Sequence, residues 1–152
     1  MKSKRLALGV VLGLFLLSWT GVVWASASAN EAMTLVDKAI AYYKANGREK
    51  AFTEFNNPKG PFVKGELYIF IWDLTGKVLA HGANEKLIGK DVSQLKDVDG
   101  KLFVQEGVEL AKAKGSGWVD YKWTNPTTKK VEAKSTFVKK VEDIIFCCGI
   151  YK

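Results

Sequence analysis

Residues 67–81 read Leu-Tyr-Ile-Phe-Ile-Trp-Asp-Leu-Thr-Gly-Lys-Val-Leu-Ala-His, and their reading decides the fold. Aromatic and branched residues run into the turn sequence Asp73-Leu74-Thr75-Gly76 and return as Lys77 to His81, which predicts a β-hairpin. The first strand is apolar at successive positions, so it belongs inside a sheet covered on both faces. A two-residue loop at Leu74-Thr75 pairs Trp72 with Lys77, Phe70 with Leu79 and Tyr68 with His81. Directly opposed residues share a face, which sets the protein's single histidine beside a tyrosine hydroxyl.

The first 29 residues stand apart from this fold. Lys2, Lys4 and Arg5 precede an apolar run from Leu6 to Trp24, and Ala25-Ser26-Ala27-Ser28-Ala29 follows. This order is that of a secretory signal peptide with two Ala-x-Ala exits. An uncleaved membrane anchor is the competing reading, because the run is just long enough to span a bilayer. Cleavage after Ala27 leaves 125 of the 152 residues, an ordinary length for one domain. The formal charge falls from +7 to +4 with the three basic residues of the leader. The remaining lysines are scattered without an arginine-rich stripe, which argues against nucleic acid as a partner. The excess positive charge favours anionic ligands.

Ser28-Ala29-Asn30-Glu31 is a capping box, and Ala32, Leu35, Val36, Ala39, Ile40 and Tyr43 recur at helical spacing. A second helical piece carries Ala51, Phe52 and Phe55 and ends near Asn57-Pro58. Gly60-Pro61 and Gly65 mark a loop into the central strand. Residues 82–100 form a polar connector, and a helix is expected from about Lys101 to Lys114. Asp97-Val98-Asp99-Gly100 resembles a fragment of a calcium loop, but the other ligand positions are missing, so a turn explains it better. Residues 117–124, 131–140 and 143–151 read as a three-strand meander. The fold class is α+β: one domain over 30–152, with a long N-terminal helix on a five-stranded antiparallel sheet.

Pairing Thr124 with Lys129 and Lys140 with Asp143 gives a provisional register. Lys134 then lies opposite Val119 and Gly149, on a face shared with Tyr121, Trp123 and Cys147. A mid-strand lysine on an apolar face, across from a glycine that leaves room, has the chemistry of an anion receptor. Its bland counterpart is a lysine that snorkels from an outer strand. Cys147 and Cys148 are neighbours on one strand and point to opposite faces, so they read as buried free thiols. A catalytic triad, phosphate loop, haem motif or zinc cluster is not found, and no enzyme activity or cofactor is expected.

The run LYIFIWDLTGKVLAH, then LIGKD, Gly117-Trp118-Val119-Asp120-Tyr121, Asn125-Pro126, Lys134 to Val138 and Gly149-Ile150-Tyr151 resemble single Cache domains of type 2. These are extracytoplasmic relatives of the PAS fold, and the likeness runs from Glu31 to Lys152. It implies a sensor module that binds a short carboxylate (acetate, propionate, pyruvate or lactate) in the manner of bacterial chemoreceptors and sensor kinases. It also implies that Tyr68, His81, Tyr121 and Lys134 line the pocket, with Phe70 as an apolar wall. Two departures stand out. Gly82 follows His81 where proline is frequent, and Phe137 stands where a tyrosine is common, which would remove one ligand hydroxyl. The expected protein is periplasmic, without an output domain of its own, and serves as a soluble binder or as a subunit of a membrane-bound transducer. The alternative is an extracytoplasmic interaction module whose pocket is filled by a bulky side chain between Tyr68 and Lys134.

Overall fold

The computed structural model describes residues 27–152; the segment read as a leader lies outside the described residues up to Trp24, with its exit sites at the boundary. Helix α1 (Ala29–Asn46) starts where the capping box places it. The Ser28 hydroxyl accepts from the Glu31 amide, and the Glu31 carboxylate accepts from the Ser28 amide. Ala32, Val36, Ala39, Ile40 and Tyr43 form its buried stripe. Gly47 ends it at φ +82°, a left-handed conformation suited to glycine. Helix α2 (Arg48–Phe55) follows at once and adds Ala51 and Phe55 to the same core.

Strands β1 (Val63–Lys64), β2 (Leu67–Asp73), β3 (Val78–His81), β4 (Ser116–Thr124), β5 (Val131–Val141) and β6 (Ile144–Tyr151) form one antiparallel sheet. The spatial order is β1–β2–β6–β5–β4, with β3 also on β2, so β2 is interior as expected. The sheet has six strands rather than five, because β1 is too short to show any periodicity and read as loop. Both β1 and β3 use the same edge of β2, one after the other.

Each hairpin register departs from the expected one by two residues. Phe70, not Tyr68, lies opposite His81; Lys134 faces Tyr121 and Tyr151; and Gly149 faces Thr136. Each loop differs from the assumed turn for an identifiable reason. In the first, the Asp73 amide donates to the Lys77 carbonyl around Leu74-Thr75-Gly76, with Gly76 at φ +93°. The Asp73 carboxylate holds that loop by accepting from the Thr75 and Lys77 amides. In the second, Asn125 bonds to Lys129 and Lys130 across a six-residue loop. The third is a two-residue loop at Glu142-Asp143 that needs a left-handed Glu142, φ 55°, a position no glycine or asparagine marks.

The sheet separates two apolar layers. Ile69, Ile71, Phe137, Ile144, Phe146 and Cys148 pack under α1 and α2. Tyr68, Phe70, Trp72, Val119, Tyr121, Val138, Ile145 and Cys147 face helix α3 (Phe103–Lys114). The cysteines are free and buried on opposite faces, as their adjacency required.

The connector between β3 and α3 is a strap over this second layer. Its residues 89–92 bond along Gly76 and Val78, and a 3-10 turn (Glu85–Leu87) precedes them. The Asp97 carboxylate accepts from the amides of Asp99, Lys101 and Lys122, which fastens the strap to β4. These bonds hold Asp97 below the usual carboxylate range. The aspartates around Gly100 therefore form a turn that caps the strap. Among the described residues no cluster of acidic, cysteine or histidine side chains is arranged to hold a metal ion.

Candidate functional site

A small cavity of about 30 Å³ lies between the sheet, the strap and α3. Tyr68 and Phe70 from β2, His81 from β3, Tyr121 from β4 and Lys134 from β5 all line it. These are the five residues singled out from the sequence, and the structure brings them to one place. Trp72, Trp123, Phe103 and the strap residues Leu87, Val92 and Leu95 complete the wall.

Lys134 is the unusual member. It is 1% exposed, and its Nζ donates to the Tyr68 hydroxyl at 2.7 Å, with no carboxylate in contact among the described residues. Four rings surround the amine, with Tyr68 at 4.4 Å and Tyr151 at 4.9 Å from ring centre to Nζ, then Phe70 and Tyr121. Burial disfavours the ammonium form and brings the pKa down to about 7. The stem crosses Gly149, where a Cβ would lie 2.1 Å from Lys134 Cε. Gly149 is thus the room the lysine needs, from the position opposite Thr136 rather than opposite Lys134 itself.

His81 is fixed as a donor. Its Nδ1 accepts from the amides of Ala83 at 3.2 Å and Asn84 at 2.9 Å, so the proton of the neutral ring resides on Nε2. Its own amide donates to the Asn56 side chain, and its ring stacks on Phe70 at 5.4 Å and lies 5.1 Å from Tyr68. Burial first, and then the Lys134 charge, depress the imidazole pKa to about 3. Gly82 is required beside it, because a Cβ would meet Val63 Cγ2 at 2.8 Å. The sign follows: between pH 6.5 and 3 the unfolded chain takes up a proton the folded imidazole refuses, so stability falls as pH drops through that range. Nitrogen-15 spectra should show one Nε2-protonated imidazole from pH 5 to 9. A ring that titrates near pH 6.5 would contradict this geometry.

Tyr121 presents its ring rather than a free hydroxyl. The ring stacks on Phe103 at 4.1 Å, and its hydroxyl shares a 2.9 Å hydrogen bond with Thr136. Phe137 is on the other face, under α1 against Trp118, so a tyrosine hydroxyl there would not reach this cavity. The expected loss of a ligand hydroxyl at that position does not arise. Tyr151 and Trp72 are the residues that sequence reasoning missed. Extending the alternation of β6 by one more pair would have placed Tyr151 on the Lys134 face.

A larger groove lies at the β1–β2 end, lined by Glu31, Glu66 and Glu132 as well as Lys64 and Lys152. Asn125 ties two of those carboxylates together. Its mixed charge gives it no preference for an anion, unlike the site at the buried lysine.

Two solved structures similar to this chain are described as sensor domains. A Cache chemosensory domain described as a structural basis for carboxylic acid recognition matches at TM-score 0.67 and 28% identity, over 80% of this chain and 91% of that one. A periplasmic sensor domain of a chemotaxis protein matches at TM-score 0.62 and 27% identity, over 80% of this chain and 88% of that one. Among curated proteins, the methyl-accepting chemotaxis protein McpP of Pseudomonas putida is 36% identical over 72 residues, 47% of this chain and 13% of that protein. The sensor histidine kinase MctS of Rhizobium johnstonii is 32% identical over 75 residues, 49% of this chain and 16% of that protein. The match thus spans less than a fifth of either curated relative. The family model described as Single Cache domain 2 matches residues 27–151, nearly every residue from the capping serine to the last strand. A buried lysine and a fixed histidine on the strap-covered face of such a sheet sit within that match, and the chain belongs to the single Cache domain family of type 2.

Proposed function

We propose that this domain is an extracytoplasmic sensor module that binds a short monocarboxylate in the cavity at Lys134. The observation that carries the reading is a fully buried amine whose one hydrogen-bond partner is a neutral hydroxyl. Buried charges are normally paired, and an anion entering the cavity would supply the missing partner. The carboxylate accepts from Lys134 Nζ and His81 Nε2, the Tyr68 hydroxyl supports the amine, and Phe70 and Tyr121 supply apolar walls. The carboxylic acid recognition described for a similar Cache domain supports the same ligand class here.

The interaction-module alternative expects a bulky side chain between Tyr68 and Lys134. The two are instead in direct contact at 2.7 Å beside open space, which favours a ligand. Catalysis lacks support: the single histidine uses Nδ1 to hold backbone amides, and burial pushes the Cys147 thiol up, away from a reactive thiolate. The similarity to a chemoreceptor and a histidine kinase supports a membrane-bound transducer as partner.

Export through a cleaved leader belongs to the same reading. The helix itself favours the first Ala-x-Ala exit, because cleavage after Ala27 keeps the Ser28 cap, whereas cleavage after Ala29 removes it at about 1 kcal/mol. Mass spectrometry of the periplasmic fraction should give an N-terminus at Ser28; an intact Met1 would favour the anchor. For the ligand, thermal-shift and calorimetric titrations with acetate, propionate, pyruvate and lactate should show stabilisation by at least one acid. No heat and no shift with any of them would leave the interaction module as the better account.

A further inference from the structure

The two ends of the cavity differ in chemistry. One end holds Lys134, Tyr68 and His81, and the other is closed by Trp72, Val78, Val92 and Val104. A volume of about 30 Å³ has room for roughly two water molecules. A carboxylate placed at the lysine leaves space for little beyond a methyl group.

The position of the Trp72 ring sets the length of this space. Trp72 is 3% exposed, and its indole is seated against α3 at Gly107, where a Cβ would lie 2.9 Å from Trp72 Cζ3. Glycine within a helix is unfavourable relative to alanine, and here the absent Cβ is occupied by the ring. Gly107 leaves in α3 the room that this ring position takes.

We propose that Trp72, seated on Gly107, is a chain-length stop that makes acetate the preferred ligand over longer acids. This rests on the carboxylate reading above and narrows it to one acid. One methylene in an apolar pocket discriminates by about tenfold or more, so propionate should bind more weakly than acetate by at least that factor.

The test is calorimetry of the purified protein with formate, acetate, propionate, butyrate and lactate, repeated on Trp72→Phe and Gly107→Ala. The wild type should bind acetate most tightly. Trp72→Phe opens the apolar end and should move the optimum to propionate or butyrate. Gly107→Ala drives the indole inward and should remove acetate binding while formate is retained. Gly107→Ala also raises helix propensity, so it decides the question should Trp72→Phe not fold. Butyrate binding the wild type as tightly as acetate overturns the stop, and so does an unchanged ranking in the variants. If the wild type binds none of the acids, the carboxylate reading fails and the stop falls with it.

Discussion

Replacing Lys134 by methionine should weaken binding of a short carboxylate by about ten- to a hundredfold and, at the same time, stabilise the ligand-free domain. The first effect is the loss of one charge-assisted hydrogen bond, about 1.5–3 kcal/mol. The second follows from the depressed pKa, from 10.5 to about 7. Below pH 7 both the folded and the unfolded lysine carry the proton, and the folded state bears the full desolvation penalty, at most about 5 kcal/mol. Between pH 7 and 10.5 the unfolded chain binds a proton that the folded one does not, so stability rises with pH across that window. Denaturation of wild type and Lys134→Met at pH 6 and pH 9.5 should therefore show the gap between them shrinking at the higher pH. A pH-independent gap would show that the amine titrates normally. Ligand binding carries the same linkage with its own sign. The anion needs the ammonium, so affinity should fall about tenfold per pH unit above 7 as each binding event takes up a proton. Calorimetry in two buffers of different ionisation enthalpy at pH 8 reads that proton directly.

Gly149→Ala should reproduce the binding loss while leaving the lysine in place. Its new methyl would stand 2.1 Å from Lys134 Cε and 2.6 Å from Thr136 Oγ1. Either the lysine stem leaves its path to Tyr68 or β5 and β6 part locally. The stem is the more flexible of the two, so the amine moves and the anion loses its counter-charge. Overpacking of this kind costs about 1–3 kcal/mol, part of it from the strained Tyr121–Thr136 hydrogen bond. The double variant with Lys134→Ala separates the terms. With the stem removed beyond Cβ, the alanine at 149 should add no further loss of affinity and less loss of stability than it does alone. Wild-type affinity in Gly149→Ala would mean that the lysine reaches the ligand by another route.

The faces of this sheet were legible from the sequence although its registers were not. The first hairpin has a longer loop and a bulge at Ile71/Trp72, the second a six-residue loop instead of four, and the third a two-residue turn one position further on; each displaces the pairing by two residues. Side chains alternate with a period of two, so a shift of two residues returns every one of them to the same face. Tyr68, His81, Tyr121 and Lys134 were therefore grouped correctly while being paired wrongly. The turn lengths were hidden because they depend on Asp73, Asn125 and a left-handed Glu142, contacts and strain that local composition does not announce. The strap escaped for a related reason. Leu87, Val92 and Leu95 are isolated apolar residues in a polar run, and the Asp97 bond to β4 together with the backbone bonds to Gly76 and Val78 turns them toward the cavity. The glycines at 107 and 149 gave partial signals: Gly149 was read as room for the lysine, whereas nothing in the helical pattern pointed from Gly107 to Trp72.

The order β1–β2–β6–β5–β4 places the last strand of the chain in the middle of the sheet. During synthesis, α1 through β3 and the β4–β5 hairpin emerge as two fragments with no strand pairing between them. The apolar β2 has its main partner, residues 144–148, some seventy positions downstream. Closure of so long a loop is slow, and it cannot begin until the last strand of the domain has been synthesised. The domain therefore cannot mature before β6 is made, and until then the nascent chain must keep its most aggregation-prone stretch away from other chains.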